Sequence, residues 1–176
     1  TFLDVGAHDP VHISNTFALE NLGWRGLLVE YEQKFAPMYR EKRQSPFVIA
    51  DAITLDWQKT LEANGFEKNR AIDYLSFDID NASLPALRNF PLEDYRFKVM
   101  TVEHDAYHAG NAKRNEMREI LLWHGYQILM QDVKNDNFEY EDWWVDPQFF
   151  NADLLGRLKT KSLNWQDIIC QIEAEF

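Results

Sequence analysis

Acidic and imidazole side chains recur in this chain just where short apolar runs end. Asp4 and Gly6-Ala7-His8-Asp9 close the first run, Glu30 the second and Asp51 the third; Asp78, Asp80 and Asn81 follow the fourth, and Glu103, His104 and Asp105 the fifth. Gly6 permits a tight turn and lets backbone N–H groups approach a ligand at the start of a helix. Glu30, at the end of the second run, suits a carboxylate that accepts hydrogen bonds from both hydroxyls of a ribose. A dinucleotide fingerprint counted from Gly6 would need glycine where the chain has His8 and Val11, which disfavours a pyrophosphate and with it NAD. What fits is a ribose, an adenine-like ring near Asp51 and a tail with little anionic character. S-adenosylmethionine answers that description, because an acidic rim attracts its cationic sulfonium. His104 is the first candidate for a general base, since imidazole titrates near neutrality and Glu103 beside it could hold the useful tautomer.

Residues at the ends of apolar runs converge only if those runs are neighbouring strands. Strands are predicted at Phe2–Val5, Gly26–Glu30, Phe47–Ala50, Ile72–Phe77, Phe97–Glu103, Tyr126–Met130 and Asp142–Val145, with the acidic stretch from Asp132 to Glu141 a loop between the last two. Amphipathic stretches lie between them. Helices are expected over Val11–Leu22, Phe35–Arg43, Trp57–Asn64, Leu84–Asn89 with Asn81 or Ser83 as N-cap, Arg114–His124 and Asn164–Glu175. This alternation predicts an α/β fold with a mainly parallel sheet, whose ligands bind outside the carboxyl ends of the strands. Trp143 and Trp144, with Phe149 and Phe150 beyond, are expected on an edge strand packed under the terminal helix, though they could form an acceptor lid or partner surface, and Cys170 is expected in core packing.

The chain has 176 residues, enough for one complete core and no evident linker, so a single domain over 1–176 is expected, with a natural start upstream of Thr1. One cysteine excludes an internal disulfide framework, and no apolar run approaches the roughly twenty residues of a membrane span. The net charge of −11 repels phosphate backbones and anionic lipids, so neither nucleic acid nor membrane is an expected partner. A cytoplasmic protein is expected, and a homo-oligomer is compatible with this composition.

Phe2-Leu3-Asp4-Val5-Gly6-Ala7-His8-Asp9 with His12-Ile13-Ser14-Asn15-Thr16 resembles the first motif of the FkbM-type methyltransferases. Leu22 to Glu30 resembles that family's second strand, Tyr74 to Asp80 its fourth, and Val102-Glu103-His104 its fifth. The resemblance implies a Rossmann-like three-layer sandwich with a seven-stranded, mostly parallel sheet whose last strand is antiparallel. It implies S-adenosylmethionine as cofactor and methyl transfer to an oxygen of a small molecule or sugar. Asp4 and Gly6 would then meet the methionine end, Glu30 the ribose, Asp51 and the Ala52 backbone the adenine, and Asp78 the methyl-donating end, where it joins His104 in the expected catalytic pair. Ala7, His8, Asp9, Asn15 and Tyr31 complete the expected cofactor-binding set. Two departures stand out: Pro10 replaces a common glycine, which implies a stiffer loop, and Asp80-Asn81 replaces Glu-Gly.

Three other chemistries are compatible with parts of the pattern. Asp78, Asp80, Asn81, Glu103 and His104 form an oxygen-rich set that could hold Mg²⁺ or Ca²⁺, and His8 with His12 could pair on a metal, but no metal is expected because such carboxylates also serve as caps and cofactor acceptors. Asp78-Ile79-Asp80 spells the DxD of metal-dependent sugar transferases. A non-catalytic nucleoside-binding or assembly protein of the same fold is the remaining alternative.

Overall fold

The computed structural model describes residues 1–161 and 163–175. In chain order the elements are β1 (Phe2–Val5), α1 (Phe17–Asn21), β2 (Gly26–Glu30), α2 (Ala36–Lys42), β3 (Phe47–Ile49), α3 (Trp57–Ala63), β4 (Ile72–Phe77), α4 (Ser83–Arg88), β5 (Phe97–Glu103), α5 (Ala106–Ala109), α6 (Asn111–Trp123), β6 (Gln127–Asn135), β7 (Phe138–Val145), α7 (Ala152–Leu158), β8 (Thr160–Lys161) and α8 (Trp165–Glu173). Among the described residues the sheet has eight strands in the order β3-β2-β1-β4-β5-β7-β6-β8. β1 to β5 are mutually parallel, and β7 runs antiparallel to both β5 and β6. The expected α/β sandwich is present, with β8 as one short strand added alongside β6.

The central strands are buried on both faces, which is why they read as continuous apolar runs rather than as alternating ones. Successive residues of β1 and β2 point to opposite sides. Leu3, Val5, Leu27 and Val29 join Trp57, Leu61, Leu87, Met117 and Leu121 from α3, α4 and α6. Phe2 and Leu28 instead join Phe35 and Tyr39 beside α2. A further cluster seats Leu155, Leu158 and Ile168 of α7 and α8 against β6 and β7. Trp144 lies in the large core, while Trp143 packs on the α7–α8 cluster.

Four sequence expectations change. The helix predicted over Val11–Leu22 begins only at Phe17, because Asp9 closes a turn by accepting the Val11 and His12 N–H groups and Ile13 has a positive φ of 61°. α4 begins at Ser83 after a short 3-10 turn over Asp80–Ala82, with Ala82 at its N-cap position instead of Asn81 or Ser83. The acidic stretch predicted as a loop is strand: β6 and β7 continue to Asn135 and Phe138 and are joined by Asp136-Asn137. Cys170 is exposed on α8.

The acidic strands remain in the sheet because α6 neutralises them. Arg114 and Arg118, one turn apart, both reach Asp132, and the Arg118 Nε lies 2.7 Å from Asp142 Oδ2. Burial alone would raise the Asp142 carboxyl, but the Arg118 guanidinium overcomes it and holds it at about 2. Leaving these buried carboxylates without their guanidinium costs far more than losing an exposed pair. Arg118→Ala is therefore expected to lower unfolding free energy by about 3–5 kcal/mol in chemical denaturation; a loss within the range of an exposed pair would show that the hairpin does not depend on this contact.

Candidate active site

A cavity of about 510 Å³ opens at the carboxyl ends of β1 to β4, the volume of a typical small-molecule site. Its floor is where β1 and β4 meet. Gly6 has φ of 89°, and a Cβ placed there would lie 1.7 Å from the Asp78 carbonyl oxygen. The Gly6 N–H donates to the Val29 carbonyl and the Asp78 N–H to that of Val5, so three strand ends are tied at this point. Beyond it the chain turns away on either side and the cavity opens, the switch point of a doubly wound sheet.

Of the cofactor-binding residues expected from sequence, Asp4, Gly6, Ala7, His8, Asn15, Glu30, Tyr31, Asp51, Ala52 and Asp78 all line this one cavity. Asp9 is not among them; its Oδ1 accepts the Val11 and His12 N–H groups at 2.9 and 2.8 Å. Glu30 is buried at the wall, where it accepts the His8 N–H at 2.8 Å on one oxygen and the Glu32 N–H at 2.7 Å on the other. Each oxygen keeps a further lone pair for a ligand. Asp51 accepts the Ile53 N–H at 2.9 Å and so shapes the loop after β3. The lining also includes Val29, Ala50, Ile53 and Ile79, which present apolar surface for a ring. Sequence reasoning passed over these, since nothing marks which apolar residue beside a strand end faces a ligand.

The loop from Pro10 to Thr16 is fastened from beneath. Arg43, with no exposed side chain, donates to the Pro10 carbonyl, the Ser14 hydroxyl and the Thr16 hydroxyl and pairs with Glu20. The Thr16 hydroxyl donates in turn to Asp4 at 2.6 Å. Asn15 donates to the Ser76 hydroxyl on β4. The Tyr39 hydroxyl donates to the His8 carbonyl. Pro10 thus sits in a loop with a fixed shape, as its ring implies.

Asp78 and Glu103 meet beside the cavity. Burial pushes both carboxyls up, and their closeness to each other and to Asp80 and Asp105 adds to the rise, which takes Glu103 to about 10. Glu103 also accepts the Asp80 N–H at 3.0 Å. Asp80 has a left-handed φ of 50° and its carbonyl accepts from the Lys113 ammonium. Asp78 and Asp80 both line the cavity.

His104 is placed differently from the expectation. It is 1% exposed and outside the cavity lining. Its Nδ1 accepts the Ala106 N–H at 3.1 Å, so the proton of the neutral ring sits on Nε2, which faces Asp142 at 3.6 Å. The imidazole faces Asp132 and Asp142, and the backbone then turns at Asp105, φ 49°. The oxygen-rich set considered for a metal is divided. Asp80, Glu103 and Asp105 stay close together with the Lys113 ammonium beside them, while His104 joins two carboxylates already bound by Arg114 and Arg118. His8 packs against Phe35 with the rings tilted by 59° and their centroids 4.6 Å apart, and the His12 N–H closes the Asp9 turn.

The sequence profile described as "Methyltransferase FkbM domain" matches residues 41–128, half of the chain. This chain belongs to the FkbM methyltransferase family. The matched stretch contains Asp51, Asp78 and Glu103, and the Gly6 loop and Glu30 precede it. Solved structures agree on the fold. A Klebsiella pneumoniae protein assigned as an O-methyltransferase superposes with a TM-score of 0.53 at 14% identity, over 82% of this chain and 71% of that one. The Dnmt2 methyltransferase of S. pombe gives 0.54 at 12% identity over 90% of this chain and 53% of its own, and a DNMT2 variant from Spodoptera frugiperda gives 0.55 at 10% over 81% and 48%. The chain thus spans about half the length of the two Dnmt2 structures. No curated protein sequence matches it significantly. The FkbM domain is an S-adenosylmethionine-dependent methyltransferase, and the donor set fits that cofactor: Glu30 lone pairs for ribose hydroxyls, apolar walls for adenine, and the carboxylates of Asp4 and Asp78 near a sulfonium.

Asp4 shows what such a site costs the fold. Burial raises its carboxyl to about 6, with Asp78 adding to the rise and the Thr16 hydroxyl and Arg43 opposing it. A carboxyl raised in the folded state stabilises fully below its unfolded value near 4, and that contribution is lost as pH rises through 6. Asp4→Asn, which can still accept from Thr16, is expected to raise stability at pH 8 by about 1–3 kcal/mol and to flatten the decline between pH 4 and 6 in thermal melts across pH. A variant less stable than the parent at pH 8 would contradict this.

Proposed function

We propose that the FkbM domain transfers a methyl group from S-adenosylmethionine to a hydroxyl oxygen of a small molecule or sugar. The observation that carries this reading is Asp78 in the cavity lining, at the expected methyl-donating end, with Glu103 hydrogen-bonded behind it. A hydroxyl is a poor nucleophile unless a group beside it takes its proton. S-adenosylmethionine, when bound, supplies an electrophilic methyl. The chain's own contribution is to bind, align and exclude water. Glu30 and Asp51 hold the adenosyl part, the Gly6 turn brings its backbone up to the methionine part, and Asp78, whose carboxyl burial raises and so makes a better proton acceptor when ionised, takes the proton of the acceptor hydroxyl.

In this reading Asp78, rather than His104, is the base. His104 acts as a structural anchor, because both of its nitrogens face groups away from the cavity. A small neutral or cationic acceptor suits a chain of net charge −11 better than nucleic acid or an anionic membrane does. Among the described residues no helix is long and apolar enough to cross a membrane; a cytoplasmic location is proposed on the residue composition alone.

The test is Asp78→Asn with labelled S-adenosylmethionine and a panel of hydroxylated small molecules and sugars. Turnover is expected to fall by about 10²–10⁴-fold while cofactor affinity changes far less. Retained turnover would remove Asp78 from the role, and label recovered on nitrogen or carbon would remove the oxygen acceptor.

A further inference from the structure

Ile13 is at odds with both rules that normally place an isoleucine. Seven described residues other than glycine have positive φ, and six of them are His, Asn or Asp, whose short polar side chains tolerate that backbone. The seventh is Ile13 at φ 61°, a β-branched residue for which the left-handed region is a genuine outlier. Its side chain is also 99% exposed, so the strain is not offset by burial. Trp123, another exposed apolar residue, sits at the end of α6 on ordinary helical backbone.

The loop holds Ile13 in this conformation. Arg43 fixes Pro10 on one side and Ser14 and Thr16 on the other, Asp9 closes the Val11–His12 turn, and Asn15 is fastened to Ser76. The residue between these attachments has nowhere to relax to, and it lines the cavity together with Glu30, Asp51 and Ile79. Strained, apolar and pinned at the mouth of a binding site, it has the properties of a group whose burial comes from the ligand.

We propose that Ile13 is the apolar cover of the cofactor site: bound S-adenosylmethionine buries its side chain, and the contact holds the cofactor in place and keeps water from it. This rests on the reading of the cavity as the cofactor site. Ile13 is thereby a positioning residue whose cost to the empty protein is recovered on binding.

The test compares the whole chain with Ile13→Gly and Ile13→Leu, reading S-adenosylhomocysteine affinity by calorimetry and the thermal midpoint of the unliganded protein. Glycine adopts positive φ freely, so Ile13→Gly is expected to leave the unliganded midpoint unchanged or raised while weakening affinity by about tenfold or more, the loss expected for an apolar side chain no longer buried. Ile13→Leu, which keeps an apolar cover, should stay within about threefold of the parent. Parent-like affinity in Ile13→Gly would overturn the proposal, as would a midpoint lowered by several degrees, which would make Ile13 part of the core. A loss in Ile13→Leu as large as in Ile13→Gly would overturn it too. If the parent itself fails to bind S-adenosylhomocysteine, the cofactor-site reading fails first and takes the cover with it, an outcome distinct from a binding parent with an indifferent Ile13→Gly.

Discussion

A hydrogen atom's width separates β1 from β4 at the place where the chemistry begins. Because any Cβ at Gly6 would collide with the Asp78 carbonyl, the end of the first strand can press directly against the end of the fourth. The Asp78 N–H donates to Val5, and the Gly6 N–H to Val29 on the other side. With three strand ends tied together, the segments beyond them must diverge, and the cavity lies between those segments. Asp4, Glu30 and Asp78 come from three different strands, yet they face one hollow because of this single close approach.

The acidity of the chain is sorted around that point by partner. Glu30, Asp51 and Asp9 accept backbone N–H groups and spend part of their charge on fixing loops. Asp132 and Asp142 are paired with guanidinium groups from α6 and carry the β6–β7 hairpin. Asp4, Asp78 and Glu103 have no such full compensation, and burial drives their carboxyls upward. The third class borders the cavity. A carboxyl that burial pushes toward its neutral form is drawn back toward its ionised form by a cation beside it, which is the sense in which the site suits a sulfonium.

Much of the site was legible from residue order. Strand ends can be read because fully buried parallel strands are short apolar runs, and the residues just after each run lie at the ligand-binding edge by the geometry of the fold. That logic put Glu30, Asp51 and Asp78 on one cavity lining. It does not reach side-chain direction. His104 comes after its strand just as Asp78 does, but its ring faces Asp142. Asp9 has the composition of a ligand-binding residue, yet one of its oxygens closes its own turn and it lies outside the cavity lining. The stretch from Asp132 to Glu141 looked too charged for a strand because its neutralising arginines lie on α6, a long-range pairing that periodicity cannot reveal.

Every role assigned to the cavity depends on where an adenosyl group binds, so the most direct test is a crystal structure with S-adenosylhomocysteine. The ribose hydroxyls are expected on the free lone pairs of Glu30, the adenine between Asp51 and the apolar wall of Ile53, and the sulfur near Asp4 and Asp78. A ligand seated in any other part of the molecule, or a ribose out of reach of Glu30, would contradict it.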